Sequence, residues 1–321
     1  MLMLLLCVKV EQLFTVPIHP QQSIIVLLLQ NTAKLVPESL CFCYGGAIYI
    51  SGDKNNRPTI TNCIVSKNSV GSWGLGGGIY CGGSNLTIRN CLISKNTSGY
   101  EGDGGGICCE HPESLTIINC TIADNKTEGN GGGIYFYLYP MAPHILIINS
   151  IIWGNLPDQI YTVGTKRPTL AHSDIQGGWP LPTGSLNLEP LFADPANGDY
   201  HLKSQAGRWD PNSRTWVTDA NTSPCIDRGS SYSDWTAELW PHGKRINMGA
   251  YGGTPEASMS LSNVGNIADL NNDDAVSLQD YAEFANKWRT SEILLAEDLN
   301  RDGIVDFSDL FILVENWLWE Q

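Results

Sequence analysis

Short runs of alternating apolar and polar residues recur along the first half of the chain, separated by turns rich in glycine and asparagine. Alternation with a period of two over about four to eight residues predicts β-strands with one buried face. The motifs GGAIY, GGGIY, GGGIC and GGGIY carry this pattern, with isoleucine at Ile48, Ile79, Ile107 and Ile134. The first half of the chain is therefore predicted to consist of short repeated strands.

Each glycine motif is followed by a second motif that contains two asparagines: TITNCIVSKN, TIRNCLISKN, TIINCTIADN and LIINSIIWGN. The first asparagines are spaced 28, 29 and 30 residues apart, at Asn62, Asn90, Asn119 and Asn149. A second set lies six residues later in every copy, at Asn68, Asn96, Asn125 and Asn155. A repeat this short cannot bury its own apolar face, so we expect the copies to stack as coils of a solenoid.

Stacking brings equivalent residues of neighbouring coils into columns, spaced about 4.8 Å apart. Asparagine side chains in such a column hydrogen-bond to one another, which predicts an asparagine ladder. A column beside the first asparagines holds Cys63, Cys91, Cys120 and Ser150. We interpret it as packing, because buried cysteine behaves as a small hydrophobe. Cys81 and Cys109 also align, and a disulfide between them is left open.

These repeats resemble the right-handed parallel β-helix of the pectate-lyase-like superfamily over residues 44–176. The resemblance implies a mainly β fold that degrades or binds polysaccharide. Residues 1–43 are predicted to be a poorly defined N-terminus with a decayed first coil. Residues 177–253 resemble the segment that often closes secreted bacterial β-helix proteins, and they are predicted to form terminal coils and a cap. Residues 254–265 have the composition of a linker.

Charge is concentrated at the C-terminal end of the chain. The net charge is −14, and residues 261–321 carry thirteen acidic and three basic residues, so −10 of that charge lies there. An acidic C-terminal region argues against a nucleic-acid partner and favours a cation. The apolar start MLMLLLCVKVEQLF has no basic region and is too short to span a membrane. We therefore expect no membrane span and a truncated N-terminus, so export must be argued from other features.

Two twelve-residue acidic segments, DLNNDDAVSLQD and DLNRDGIVDFSD, begin 29 residues apart at Asp269 and Asp298. Both have oxygen-bearing side chains at positions 1, 3, 5, 9 and 12, the spacing of a calcium-binding loop. The apolar residues that follow each segment also match, with Phe284 equivalent to Leu313 and Trp288 equivalent to Trp317. Two duplicated loop-helix units of this kind resemble a type I dockerin, over residues 266–321.

The dockerin resemblance implies two Ca²⁺ sites. The first would use Asp269, Asn271, Asp273, the carbonyl of Ala275, Ser277 and Asp280. The second would use Asp298, Asn300, Asp302, the carbonyl of Ile304, Asp306 and Asp309. Asp274 stands where glycine is expected, and the first site has three acidic ligands against four, so we expect the second site to bind calcium more tightly.

The same resemblance implies docking to a cohesin-like protein module through positions 10 and 11 of each loop. These positions hold Leu278 and Gln279, then Phe307 and Ser308, so the usual pair of small hydroxyl residues is absent. The alternative is that calcium serves only to fold a small domain with little core. Calcium at the required level is an extracellular condition, which favours a secreted or cell-surface protein.

Candidate chemistry of the β-helix lies in the variable loops SVGSWGL, TSGYEGD and KTEGN, which should stack on one edge. Glu101 and Asp103 are the candidate catalytic carboxyls, and Trp73, Tyr100 and Glu128 are candidate substrate-binding residues. Aromatic rings pack on the apolar faces of sugars, and a glycosidase needs two carboxyls about 5–10 Å apart. Solvated loops of a solenoid commonly carry such residues without any function, and that alternative stays open.

Lys67 and Lys95 form another column with Asp124, each directly before a ladder asparagine. A lysine column could bind the carboxylates of a uronate substrate or supply the base of a lyase. The alternative is a solvated face with a cross-coil pair between Lys95 and Asp124. In the cap region, Asp199 and His201 are assigned to turns.

The sequence thus predicts an extracellular β-helix joined to a calcium-binding, dockerin-like pair of helices. Three functions remain open. The first is a polysaccharide lyase or glycoside hydrolase, the second is a non-catalytic adhesin or sugar-binding protein, and the third is a structural spacer.

Overall fold

The computed structural model describes residues 26–29, 32–33, 44–51, 57–138, 144–164, 166–180 and 183–320. The chain divides into two compact units. The solenoid unit comprises residues 1–189 and 248–250, and the C-terminal unit comprises residues 190–247 and 251–321.

The solenoid unit consists of short strands that pair in parallel across successive coils. In chain order the described strands are β1 (Val26–Leu29), β2 (Thr32–Ala33), β3 (Ile48–Ser51), β4 (Thr59–Thr61), β5 (Cys63–Ser66), β6 (Ser69–Val70), β7 (Ile79–Gly82), β8 (Asn85–Arg89), β9 (Leu92–Ser94), β10 (Thr97–Ser98), β11 (Ile107–Glu110), β12 (Ser114–Ile118), β13 (Thr121–Ala123), β14 (Lys126–Thr127), β15 (Ile134–Tyr137), β16 (His144–Ile148), β17 (Ile151–Trp153), β18 (Ile160–Val163), β19 (Thr169–Ala171) and β20 (Asp174–Ile175). They form four sheets, with orders β1-β5-β9-β13-β17-β20, β14-β10-β6-β2, β18-β15-β11-β7-β3 and β19-β16-β12-β8-β4.

The isoleucines of the glycine motif form an apolar column inside the solenoid. Ile79 pairs in register with Ile48 and Ile107, and Ile107 pairs with Ile134. Ile79, Ile107 and Ile134 are fully buried. The predicted parallel stacking is confirmed, because one repeated residue type occupies the same inward position in each coil.

The second set of asparagines forms the predicted ladder. The Asn68 Nδ2 donates to Asn96 Oδ1, Asn96 Nδ2 to Asn125 Oδ1, and Asn125 Nδ2 to Asn155 Oδ1, each at 2.9 Å. The first set occupies a turn instead. Its members have positive φ angles, a conformation that asparagine tolerates better than most residues: Asn62 (53°), Asn90 (48°), Asn119 (49°) and Asn149 (53°).

The predicted cysteine column is a packing column. Cys91, Cys120 and Ser150 are fully buried, and Cys120 N–H donates to Ser150 Oγ at 3.1 Å. Cys81 and Cys109 pair in register on neighbouring strands, and their thiols are not joined by a disulfide.

A further coil follows the four repeats, because strand β19 pairs with β16, and β20 pairs with β17. At the other end, β1 and β2 pair in register with β5 and β6, as expected for a first coil within residues 1–43. The apolar start MLMLLLCVKVEQLF lies outside the described residues.

The C-terminal unit begins with two antiparallel hairpins and ends with two helices. The hairpins pair β21 (Phe192–Asp194) with β22 (Asp199–Leu202), and β23 (Arg208–Asp210) with β24 (Thr215–Val217). The helices are α1 (Leu278–Asn286) and α2 (Phe307–Glu315), and each follows one of the acidic segments. In the described residues, no helix is long and apolar enough to cross a membrane.

The two helices share a small core with the acidic segments that precede them. Phe284 of α1 and Leu313 of α2 are buried together with Ala268, Val276, Leu299 and Val305. The duplicated pattern Phe284/Leu313 therefore packs the pair as the sequence predicted. Within residues 254–265, Met259 N–H donates to the Gly207 carbonyl at 2.8 Å, and Ser258 Oγ donates to the Leu202 carbonyl at 2.6 Å. The domain boundaries drawn from the sequence stay predictions.

Candidate functional site

Exposed aromatic rings of two neighbouring coils meet in the loops that precede the sheet β18-β15-β11-β7-β3. Trp73 lies between β6 and β7, and Tyr100 lies between β10 and β11. Trp73 N–H donates to the Tyr100 carbonyl at 2.7 Å, and the two rings meet edge to face with centroids 6.3 Å apart. The side chains are 48% and 57% exposed, so both rings are open to a ligand. We call these stacked loops, with their carboxylates, the loop edge.

The two candidate catalytic carboxyls lie in one loop but have different surroundings. Glu101 is exposed, and its hydrogen bond with Tyr100 raises the pKa of the Tyr100 phenol. The negative charge of Glu128, in the loop of the next coil, acts in the same direction. Asp103 Oδ1 accepts hydrogen bonds from Asn130 N at 2.7 Å and Asn130 Nδ2 at 3.2 Å. Asp103 therefore ties its loop to the next coil, while Glu101 faces solvent.

The lysine column lies at a different turn. Lys67 follows β5 and Lys95 follows β9, so both precede the two-residue strands that lead to the loop edge. Their φ angles are 59° and 55°, and Asp124 at the equivalent position has 56°. The position is a left-handed turn in each coil, and it is Gly154 in the last copy, with φ 70°. The column therefore lies at a left-handed turn that recurs from coil to coil, and its role in substrate binding stays a prediction.

In the first acidic segment of the C-terminal unit, backbone N–H groups donate hydrogen bonds to carboxylates of the same segment. Asp269 accepts backbone N–H bonds from Asp273 at 3.0 Å and from Asp274 at 3.1 Å. Asp280 is fully buried and accepts N–H bonds from Leu270 and Ser277, both at 2.8 Å. The same segment contains the remaining candidate ligand positions, Asn271 and Ala275.

The second segment repeats this arrangement. Asp298 accepts N–H bonds from Asp302 at 3.1 Å and Gly303 at 2.8 Å. Asp309 is fully buried and accepts from Asn300 at 2.8 Å and Asp306 at 2.9 Å. The remaining candidate position, Ile304, lies in the same segment. Asp280 and Asp309 also complete capping boxes at the starts of α1 and α2, so each loop is built into its helix.

The oxygen donors of both segments fit a hard cation such as calcium. Burial raises the pKa of Asp269, and the negative charges of Asp280 and Asp273 raise it further. Burial also raises the pKa of Asp298, with the charges of Asp309 and Asp302 acting in the same direction. A bound divalent cation would relieve this repulsion. Across the described residues, no three or more histidine, cysteine, aspartate or glutamate side chains gather as a metal-holding group, so the sites stay a prediction.

Each segment also contacts the stretch around Trp240. Lys244 forms an ion pair with Asp274 of the first segment. Arg301 of the second segment donates to the Trp240 carbonyl and lies over the Trp216 ring, 5.2 Å from its centroid. Burial lowers the pKa of Arg301 to about 10. The loop-helix pair is thus fastened to the rest of its unit at two points.

Two family models match parts of the chain. Residues 25–175 match the right-handed β-helix region. This segment is a right-handed β-helix of about four turns. Residues 177–229 match a family described as disaggregatase related. No curated protein and no solved structure matches the chain significantly.

The β-helix carries a column of tyrosines that the sequence analysis missed. Tyr49, Tyr80, Tyr135 and Tyr161 pair in register on neighbouring strands, with Cys108 between Tyr80 and Tyr135. The rings of Tyr49 and Tyr80 stack with centroids 5.2 Å apart, and those of Tyr135 and Tyr161 with centroids 5.9 Å apart. The signal was available, because Tyr49, Tyr80 and Tyr135 directly follow the repeated isoleucine of the glycine motif, and Tyr161 likewise follows an isoleucine.

A buried ion cluster joins residues of the segment 177–229 to Glu256. His201 Nδ1 lies 2.6 Å from Asp199 Oδ1, and His201 Nε2 lies 3.2 Å from Glu256 Oε2. Arg208 bonds to Asp199 at 3.2 Å and to Asp219 at 3.1 Å. Burial lowers the pKa of His201, but its bonds to both carboxylates raise it, and the net direction is upward. The assignment of Asp199 and His201 to turns is therefore wrong, because both are buried in β22 and paired.

A second buried carboxyl lies in the same unit. Glu238 Oε1 accepts N–H bonds from Asn247 at 2.8 Å and from Gly253 at 2.7 Å. Burial raises the pKa of Glu238 to about 8. Glu238 therefore ties together two segments of the cap and is protonated over much of the acidic range.

Proposed function

We propose that the chain is an extracellular protein whose β-helix acts on, or binds, polysaccharide. The exposed pair Trp73 and Tyr100 carries this proposal, because two open rings on neighbouring coils suit the apolar faces of successive sugar units. Glu101 and Glu128 stand beside the rings and would accept hydrogen bonds from sugar hydroxyls.

The match to the family described as disaggregatase related also supports this proposal. The name describes an activity that separates aggregates, and we propose that a polysaccharide matrix holds those aggregates together. The match covers residues 177–229, which follow the β-helix directly. The β-helix would then supply the binding surface for such a matrix.

Two forms of the proposal differ in chemistry. In the enzyme form, a polysaccharide lyase or glycoside hydrolase, Glu101 would transfer a proton at the scissile bond, and Asp103 would be the second carboxyl. The bonds from Asn130 to Asp103 favour the non-catalytic form for this pair, because they already engage one carboxylate oxygen. A non-catalytic adhesin needs only the rings and the hydrogen-bonding groups.

We further propose that the C-terminal helix pair is a dockerin-like module that binds two calcium ions and tethers the β-helix to a cohesin-like protein. The matching hydrogen-bond patterns around Asp269 and Asp298 support this proposal, because the two segments present equivalent oxygen atoms. The exposed side chains of Phe307 and Leu278, each 73% exposed, would contact the partner.

The experiment is to incubate the purified chain with a panel of polysaccharides, with and without calcium, and to measure both new reducing ends and retention on immobilised polymer. Cleavage that falls in a Glu101→Gln variant supports the enzyme form, and retention without cleavage supports the binding form. The Trp73→Ala variant should lose either property, while Tyr232→Ala, at a 99% exposed ring in the C-terminal unit, is the matched control. Absence of both cleavage and retention would contradict the proposal.

A further inference from the structure

The outward face of the five-stranded sheet β18-β15-β11-β7-β3 is aromatic and carries almost no charge. We call it the tyrosine face, and it consists of Tyr49, Tyr80, Glu110, Tyr135 and Tyr161. The sequences of the five strands are IYIS, IYCG, ICCE, IYFY and IYTV. They contain no lysine and no arginine, and Glu110 is their one charged residue.

Glu110 forms no ion pair among the described residues, and its carboxylate accepts a hydrogen bond from the Tyr80 hydroxyl at 2.8 Å. The side chain is half-buried on the strand β11. The face therefore offers a hydrogen-bond acceptor and a negative charge, but no site that would attract an anion.

The tyrosine face continues into the loop edge. Leu75, from the same loop as Trp73, packs against the cluster of Tyr80, Cys108 and Tyr135. Leu75 also forms a parallel bridge with Asp103, which places the loops of neighbouring coils in register beside the sheet. Leu75 thus connects the loop that carries Trp73 to the tyrosine face, and the strands of that face contain no basic residue.

Exposure distinguishes the rings that a ligand can touch from those that support them. Tyr49 is 56% exposed and Tyr161 is 37% exposed, whereas Tyr80 and Tyr135 are 9% and 8% exposed. Tyr80 and Tyr135 therefore form a packed layer, and the contact surface consists of Tyr49, Tyr161 and the two rings of the loop edge.

We infer that the tyrosine face and the loop edge bind a polysaccharide chain that lacks acidic groups. This inference rests on the proposed function and specifies its substrate class. A polyuronate or sulfated polymer would meet Glu110, Glu101 and Glu128 with like charge. Lys126 is the one lysine of the loops SVGSWGL, TSGYEGD and KTEGN, and a single exposed cation does not balance these three carboxylates. Lys67 and Lys95 lie at a different turn, directly after β5 and β9.

The ligand is a chain rather than a single sugar because equivalent positions recur from coil to coil. Neighbouring strands lie about 4.8 Å apart, so the five strands of the face span about 19 Å. An extended glycan that crosses the coils can therefore contact Tyr49 and Tyr161 on the two edge strands, with Glu110 of the middle strand between them.

The test measures binding of a neutral polymer, galactomannan, and an acidic polymer, polygalacturonate, by affinity electrophoresis at low ionic strength, where charge effects are strongest. The expected result is retardation by galactomannan alone. The Trp73→Ala/Tyr100→Ala double variant should weaken it about tenfold, since two ring contacts together contribute roughly one factor of ten. The Lys67→Ala/Lys95→Ala double variant is the control and should leave it unchanged.

Retardation by polygalacturonate, whether or not the lysine double variant abolishes it, would overturn this inference and leave the proposed function standing. Galactomannan binding that survives in the aromatic double variant would also overturn it. Circular dichroism of each variant confirms that the β-helix is folded, so loss of binding is not loss of structure. Binding of neither polymer, nor of any other polysaccharide in the panel, would overturn the proposed function itself.

Discussion

Replacing Asn96 by alanine removes a side chain that links neighbouring coils of the β-helix. Asn96 Oδ1 accepts from the backbone N of Asn68 at 3.0 Å and from its Nδ2 at 2.9 Å. Asn96 Nδ2 donates to the Val65 carbonyl and to Asn125 Oδ1, both at 2.9 Å. All four bonds are buried, so the alanine variant leaves four buried polar groups each short of one partner.

The expected cost follows from three of these groups, because Asn125 Oδ1 keeps the hydrogen bond from the backbone N–H of residue 96. An unsatisfied buried donor or acceptor costs roughly 1 kcal/mol at the lower end of measured values, so the variant should lose about 3 kcal/mol of unfolding free energy. A loss of this size is a large part of the total stability of about 5–15 kcal/mol that is typical of a folded domain. Urea unfolding measures this loss when it is followed by far-ultraviolet circular dichroism, which reports on the β-strand content.

Two further variants test whether the loss of stability is specific to the asparagine ladder. Lys67→Ala removes an exposed side chain from a turn of the same β-helix and should change the stability by less than about 0.5 kcal/mol. Asn96→Asp retains the acceptor but replaces the donor, so it should be more harmful at pH 7, where the carboxylate is charged, than at about pH 3. An Asn96→Ala variant as stable as Lys67→Ala would refute the reasoning, because the ladder would then contribute no more than a surface residue.

Three further predictions concern the C-terminal unit and the loop edge. Asp302→Ala should lower calcium affinity more than Asp273→Ala, because the second site has one more acidic ligand; calorimetric titration measures both, and the reverse order would contradict the comparison. Stability of the unit should fall as pH rises from 4.5 towards 8, by up to about 5 kcal/mol, because a folded-state pKa of about 8 at Glu238 favours the protonated form. Glu238→Gln retains an acceptor and should flatten this dependence in urea titrations, leaving the smaller decline from His201, whose raised pKa acts in the same direction; an unchanged slope would count against it. If the chain is an enzyme, Glu101→Gln should abolish product release without reducing retention on the polymer, and full activity would exclude Glu101 as the proton donor.

The repeated part of the fold could be predicted because every coil places the same residue type in the same environment. Ile79, Ile107 and Ile134 all face inward, and Asn68 to Asn155 form one ladder, so four copies each provide independent support. The tyrosine face was overlooked although it follows from the same repeats. Periodicity shows that residues align, but it does not show which outward column is exposed enough to contact a ligand.

The cap could not be predicted in the same way because it has no repeat. His201 and Glu256 lie 55 residues apart, and their contact depends on how the chain folds back on itself. Arg208 and Asp199 are closer in sequence, but they look like ordinary turn residues of an irregular segment. The burial of Glu238 likewise depends on backbone N–H groups of Asn247 and Gly253, which carry no side-chain signal.

The asparagine ladder has a consequence for how such a chain can change in length. Asn96 makes bonds of one type to Asn68 and of the same type to Asn125, so each rung meets its neighbours through an identical interface. A duplicated or deleted coil would therefore restore every bond of the ladder, whereas a partial coil would interrupt it. The loops that carry Trp73 and Tyr100 contribute no side chain to the ladder, so changes in them leave its hydrogen bonds in place. Gene duplication could thus extend the binding surface by whole coils while point changes in the loops alter what it recognises.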